Sequence, residues 1–128
     1  MAKSIPILVI DDDPEFQELV ESTLGMAGFD VTRALSGKEG LEIAATQTVL
    51  SAILLDTTMP EMDGLEVLTK LKQNPETSKI PVVMLTGKTT TSDIENAFDL
   101  GADDYITKPV EFRVLAQKVR AILKKLSG

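Results

Sequence analysis

The chain has 128 residues, 43% hydrophobic and 26% charged, which suits one cored globular domain and excludes a disordered or collagen-like chain. Twenty Asp and Glu against thirteen Lys and Arg leave a formal charge of −7, so neither direct nucleic-acid binding nor binding to an anionic membrane surface is expected as its main function. Cysteine and histidine are both absent, which removes disulfides, thiolate metal sites, iron–sulfur clusters, imidazole bases and Ser-His-Asp triads, and leaves carboxylates, hydroxyls, lysines and backbone for any chemistry.

The start, Met1-Ala2-Lys3-Ser4, has no charged region leading into a long apolar run, and no segment nears the ~18 apolar residues of a membrane span. A cytoplasmic location is the default expectation. Ile5-Pro6-Ile7-Leu8-Val9-Ile10 is a short, β-branched, continuously apolar run, the pattern of a strand buried on both faces. Asp13-Pro14 then reads as an N-cap and first-turn proline, opening a helix with Phe16, Leu19, Val20, Thr23 and Leu24 as its stripe and Gly28 as its stop. Phe29–Arg33 is a weaker strand. Ser36-Gly37-Lys38-Glu39 matches a capping box before a helix carrying Leu41, Ala44 and Ala45. Ser51–Asp56 is a second buried strand, and Thr57–Gly64 is turn-rich. Leu65, Leu68 and Leu71 mark a helix ending near Asn74-Pro75.

Ile80–Thr86 is a third strong strand. Ser92-Asp93-Ile94-Glu95 is a capping box for a helix that presents Ile94, Ala97 and Phe98 on one face and stops at Gly101. Asp104–Thr107 is a short strand before Lys108-Pro109. The last helix aligns Phe112, Leu115, Val119, Ile122 and Leu126, with Arg113, Lys118, Arg120, Lys124 and Lys125 opposite, a face more often solvated than a partner site. Five βα units with short connections predict a doubly wound, flavodoxin-like α/β domain. Its five-stranded parallel sheet would run 2-1-3-4-5 with helices on both faces.

In such sheets ligands bind beyond the carboxyl ends of the strands, near the switch point between strands 1 and 3. The residues at those ends are Asp11-Asp12-Asp13, Asp56, Thr86-Gly87 and Thr107-Lys108-Pro109. Crowded carboxylates repel, and a hard divalent cation with oxygen ligands relieves that repulsion. A lysine adds a point charge suited to a phosphate oxygen. With no His or Cys, the natural nucleophile is a carboxylate, and aspartate offers a route to an aspartyl phosphate.

The chain resembles the receiver domain of two-component response regulators, the CheY-like superfamily. The matching residues are Val9-Ile10-Asp11-Asp12-Asp13-Pro14, Leu54-Leu55-Asp56, Met59-Pro60-Glu61-Met62-Asp63-Gly64, Val83–Gly87, Gly101-Ala102-Asp103-Asp104-Tyr105 and Lys108-Pro109. They run in the family's order over essentially the whole chain, which reads as one receiver domain, residues 1–128, without an output domain. The resemblance implies Asp56 as phosphoacceptor and Mg²⁺ (or Mn²⁺) held by Asp12 directly, by Asp11 through water, by Asp56 and by the Thr58 carbonyl. It implies Thr86 and Lys108 as phosphoryl-stabilising groups, Thr86 and Tyr105 as the switch, a cis peptide at Lys108-Pro109, and Thr58 and Lys88 as positions that tune dephosphorylation.

It further implies a phospho-switch fed by a sensor histidine kinase, a phosphotransfer protein or a small acyl phosphate, because the chain has no histidine of its own to act as donor. The kinase side would dock over Glu15, Phe16, Leu19 and the segment Pro109-Val110-Glu111. An unnamed protein would read the face of helix 4, strand 5 and helix 5. The state expected is a monomer or a weak, phosphorylation-dependent dimer, with no enzymatic activity beyond its own phosphorylation and dephosphorylation. An ending at Ser127-Gly128 suits a single-domain protein or an excised piece equally. The competing reading is a haloacid-dehalogenase-type phosphatase with Asp11 as nucleophile. It is weakened by Glu15 where that family has Thr or Val, and it leaves Asp56 unexplained. An FMN carrier is disfavoured by the acidic turn after the first strand.

Overall fold

The computed structural model describes residues 4–47 and 49–127. The start at Met1-Ala2-Lys3 and the final Gly128 lie outside the described residues. The chain alternates β1 (Ile5–Ile10), α1 (Pro14–Met26), β2 (Phe29–Ala34), α2 (Gly37–Thr46), β3 (Ala52–Asp56), α3 (Gly64–Gln73), β4 (Val82–Thr86), α4 (Thr91–Asp99), β5 (Asp104–Thr107) and α5 (Phe112–Ser127). All strand pairs are parallel and the sheet order is β2-β1-β3-β4-β5, the predicted topology.

The continuous apolar runs are strands because both their faces are covered. Ile7, Val9, Ala52, Leu54, Val83, Leu85 and Ile106 meet Val20 and Leu24 of α1 and Leu115 and Val119 of α5. Leu8, Ile10, Ile53, Leu55, Val82 and Met84 point the other way, onto Ala44 of α2 and Val67, Leu68 and Leu71 of α3. Each fully buried Leu, Ile or Val contributes about 1.5–3 kcal/mol. Among the described residues no helix is long and apolar enough to cross a membrane.

Four details depart from the sequence reading. The buried stripe of α1 is Gln17, Val20 and Leu24, while Leu19 is 53% exposed. The ladder of β4 begins at Val82, because Pro81 accepts from the Ile53 amide but has no N–H to donate. The N-cap of α4 is Thr90, whose hydroxyl accepts from the Asp93 amide at 3.2 Å, and Ser92 lies inside the helix. In the box before α2, Ser36 caps Glu39 at 3.1 Å, but the Glu39 carboxylate accepts from Leu35 rather than Ser36. The basic face of α5 is partly engaged. Arg120 donates to the Ala27 carbonyl and lies over Phe29, and Lys125 pairs with Asp104 at 3.0 Å.

Candidate functional site

The sheet brings residues from four distant stretches of the sequence to one edge. Asp11 is the first residue past β1, and its amide donates to the Ala34 carbonyl at the end of β2, 3.0 Å away. Asp56 ends β3 and Thr86 ends β4. Lys108 follows β5, its amide donating to the Thr86 carbonyl at 2.8 Å, and its peptide bond to Pro109 is cis. Carboxylate oxygens of Asp11, Asp12 and Asp56 lie within 4.8 Å of one another. The Lys108 ammonium bridges two of them, donating to Asp11 Oδ2 at 2.8 Å and Asp56 Oδ1 at 3.1 Å. It also sits 4.4 Å from the ring centre of Phe16 in α1.

Asp11 is 1% exposed and Asp56 6%, so these charges are poorly screened. Burial holds the Asp56 carboxyl above the usual carboxylate range, and the Asp11 charge pushes it the same way. Lys108 and a backbone hydrogen bond from Thr58 pull it down by less. For Lys108 burial acts to lower the pKa, but Asp11 and then Asp56 outweigh it and hold the ammonium above its ordinary value. The two carboxylates thus favour the charged ammonium, while burial and Asp11 disfavour charge on Asp56. The set of hard oxygen donors, three carboxylates against one ammonium, fits Mg²⁺ or Mn²⁺.

Local turns hold these groups in place. Asp11 Oδ1 accepts from the Asp13 amide at 2.9 Å, and Asp13 caps α1 through the Glu15 and Phe16 amides. Beneath Asp56, the Gly64 amide donates to the Thr57 carbonyl at 2.8 Å as α3 begins. A Cβ on Gly64 would stand 2.1 Å from the Asp56 carbonyl oxygen, so only glycine lets α3 approach this close. Thr57 in turn donates from its hydroxyl and its amide to the Leu85 carbonyl of β4, at 3.2 and 3.1 Å.

Among the described residues, the side chains of the other predicted residues make no hydrogen bond to the carboxylates or ammonium of this cluster. Thr58 and Lys88 are exposed on the loops after β3 and β4. The Thr86 hydroxyl is engaged by its own loop, accepting from the Lys88 amide at 2.8 Å. Tyr105 is half-buried and meets Phe98 of α4 edge-on, ring centres 6.2 Å apart. A cleft under α4 is lined by Thr86, Lys88, Ile94, Ala97, Phe98 and Tyr105, linking the strand ends to that helix. Sequence reasoning missed Gln17, whose buried amide reaches the ends of β1 and β2. Its only signal was its place in register with Val20 and Leu24.

The family model for the response regulator receiver domain matches residues 7–120. The chain belongs to that family. Among its relatives, the DNA-binding dual master transcriptional regulator RpaA of Synechocystis is 42% identical over 93% of this chain and 49% of its own length. The transcriptional regulatory protein SrrA of Staphylococcus aureus is 37% identical over 93% of this chain and 48% of its own. A CheY-like receiver domain protein from Methanospirillum hungatei superposes with a TM-score of 0.87 at 28% identity, covering 98% of each chain. This receiver chain spans about half the length of those two regulators, and DNA binding and transcriptional regulation belong to those proteins. Membership and topology leave the haloacid-dehalogenase alternative without support. In this receiver domain both Asp11 oxygens already accept hydrogen bonds, from Asp13 and Lys108.

Proposed function

We propose that this receiver domain is a phosphorylation-dependent switch that takes a phosphoryl group onto Asp56. The observation carrying the reading is the Lys108 ammonium shared between the buried carboxylates Asp11 and Asp56 at one sheet edge. An Asp56 carboxylate oxygen attacks phosphorus, and the P–N bond of a partner's phosphohistidine, or the P–O bond of a small acyl phosphate, breaks. The electron pair leaves with imidazole or with the acyl carboxylate. Asp11, Asp12, Asp56 and the Thr58 carbonyl would hold Mg²⁺ or Mn²⁺, which when bound supplies positive charge beside the phosphoryl oxygens.

Lys108 follows the charge as it moves from the carboxylate to the phosphoryl oxygens, so the ammonium never loses an anionic partner. The Thr86 hydroxyl exchanges its Lys88 amide for a phosphoryl oxygen, and the loop it leaves opens the cleft toward Tyr105. The changed surface is then that of α4, β5 and α5, read by a protein partner. The donor is a histidine kinase or phosphotransfer protein of the cytoplasm, and the domain catalyses only its own phosphorylation and dephosphorylation. It acts as a monomer or a weak phosphorylation-dependent dimer.

The test is incubation with Mg²⁺ and acetyl phosphate followed by intact mass. One added phosphoryl group is expected, lost in Asp56→Ala and on chelation. A chain that stays unmodified, or an adduct that persists in Asp56→Ala, overturns the reading.

A further inference from the structure

Gln17 is wholly buried on α1, yet the residues sharing its stripe, Val20 and Leu24, are aliphatic. Its Nε2 lies 2.8 Å from the Val9 carbonyl, 3.1 Å from that of Asp11 and 2.9 Å from that of Ala34. An amide nitrogen has two hydrogens, so three carbonyls share them. Its Oε1 is buried without a partner among the described residues. Flipping the amide is no remedy, because it would turn the oxygen onto three carbonyl oxygens. The side chain is therefore present for its donors, in spite of an unmet acceptor.

Those donors act where the cation ligands leave the sheet. The Asp11 amide is already tied to the Ala34 carbonyl at 3.0 Å, and Gln17 ties the Asp11 carbonyl to the same point. Both peptide planes flanking Asp11 are thus pinned to the end of β2. The second of these planes is rigid and sets the direction in which Asp12 leaves the backbone.

We propose that Gln17 is a positioning residue for the cation site, fixing the Asp11–Asp12 peptide in its ligating arrangement before a cation arrives. This rests on the functional reading above. Groups that orient metal ligands from behind change affinity by about 10–100-fold when removed. Gln17 acts through backbone rather than on a carboxylate, so the low end of that range, about tenfold, is expected.

The test is Mn²⁺ binding to the full chain, read from the loss of the free Mn²⁺ electron paramagnetic resonance signal, in wild type, Gln17→Met and Asp12→Asn. Gln17→Met keeps the length of the side chain and removes its donors. It should bind Mn²⁺ about tenfold more weakly at a temperature where circular dichroism shows it fully folded, a change that lost packing alone would not produce. Asp12→Asn should bind more weakly still. Wild-type binding with Gln17→Met within twofold of it overturns this proposal alone; a wild type that binds no Mn²⁺ overturns the cation-site reading with it. Should Gln17→Met not fold, the side-chain amide protons of Gln17 in the metal-free wild type decide. Slow solvent exchange supports a pre-set peptide, and exchange as fast as that of an exposed glutamine refutes it.

Discussion

Replacing Asp56 by Asn in metal-free protein should stabilise the fold at neutral pH. The Asn keeps the shape and the Oδ1 acceptor facing Lys108, and removes one charge. Repulsion from Asp11, at 4.8 Å or less, is relieved; at an effective dielectric of ~20 it is worth about 3.5 kcal/mol. Attraction to Lys108 at 3.1 Å is given up, about 5 kcal/mol on the same scale. Coulomb terms alone therefore favour the wild type by about 2 kcal/mol. Burial decides the sign. The Asp56 side chain is 9% exposed, and an ion so buried costs several kcal/mol. Burial is also the largest cause of its raised pKa.

The variant should gain about 1–2 kcal/mol, or about 3–8 °C in melting temperature. The pH dependence follows from the same sign. The folded pKa of Asp56 lies above its unfolded value near 3.8, so the fold binds the proton more tightly. The penalty is fully present above the folded pKa, fades as pH falls through it, and is gone below the unfolded value. The gap between variant and wild type should therefore be widest at pH 7 and close toward pH 4. Urea melts followed by far-ultraviolet circular dichroism in a chelator, across pH 4 to 8, measure it. A variant less stable than wild type at pH 7, or a gap that does not change with pH, refutes the reasoning.

Lys88 is exposed on the loop whose amide holds the Thr86 hydroxyl, so Lys88→Ala should change the dephosphorylation rate more than the phosphorylation yield. Equal lifetimes of the two phosphorylated proteins, followed by intact mass, would sink that expectation. Gly64→Ala drives a methyl to 2.1 Å from the Asp56 carbonyl oxygen and should cost about 3 kcal/mol in urea melts, since the obstacle is backbone. Thr90→Ala removes the hydroxyl that caps Asp93 and should cost about 1 kcal/mol. Hydrogen exchange should place that loss in the first turn of α4, and uniform loss across the sheet would contradict it.

The strands were legible because burial on both faces imposes unbroken apolar runs, as in Ile7–Ile10 and Ala52–Leu55. The acidic edge followed, since parallel topology collects strand ends whatever their distance in sequence. The cap of α4 was ambiguous for a physical reason. Thr90-x-x-Asp93 and Ser92-x-x-Glu95 are both well-formed boxes two residues apart, and only the path from β4 chooses between them. Gln17 was hidden because a polar residue in an apolar stripe reads as a defect until its three carbonyl acceptors are seen. The closeness of Gly64 to Asp56, and the reach of Lys72 to the Ser78 and Ile80 carbonyls and the Asp103 carboxylate, exist only after folding.

Helix α4 is closed at both ends by its own chain. Thr90 caps its start, and at its finish the Gly101 and Ala102 amides donate to the Phe98 and Ala97 carbonyls, with Gly101 at φ 112°. Yet it has no fully buried residue, and Phe98 is 42% exposed. Its helical shape and its seating on the sheet are thus governed by separate energies. Only half-buried side chains, Ala97 among them, hold it to the aliphatic core, so less burial opposes its movement than for the other four helices. In the proposed switch, a rearranged Thr86 loop would therefore have little burial to overcome in shifting α4.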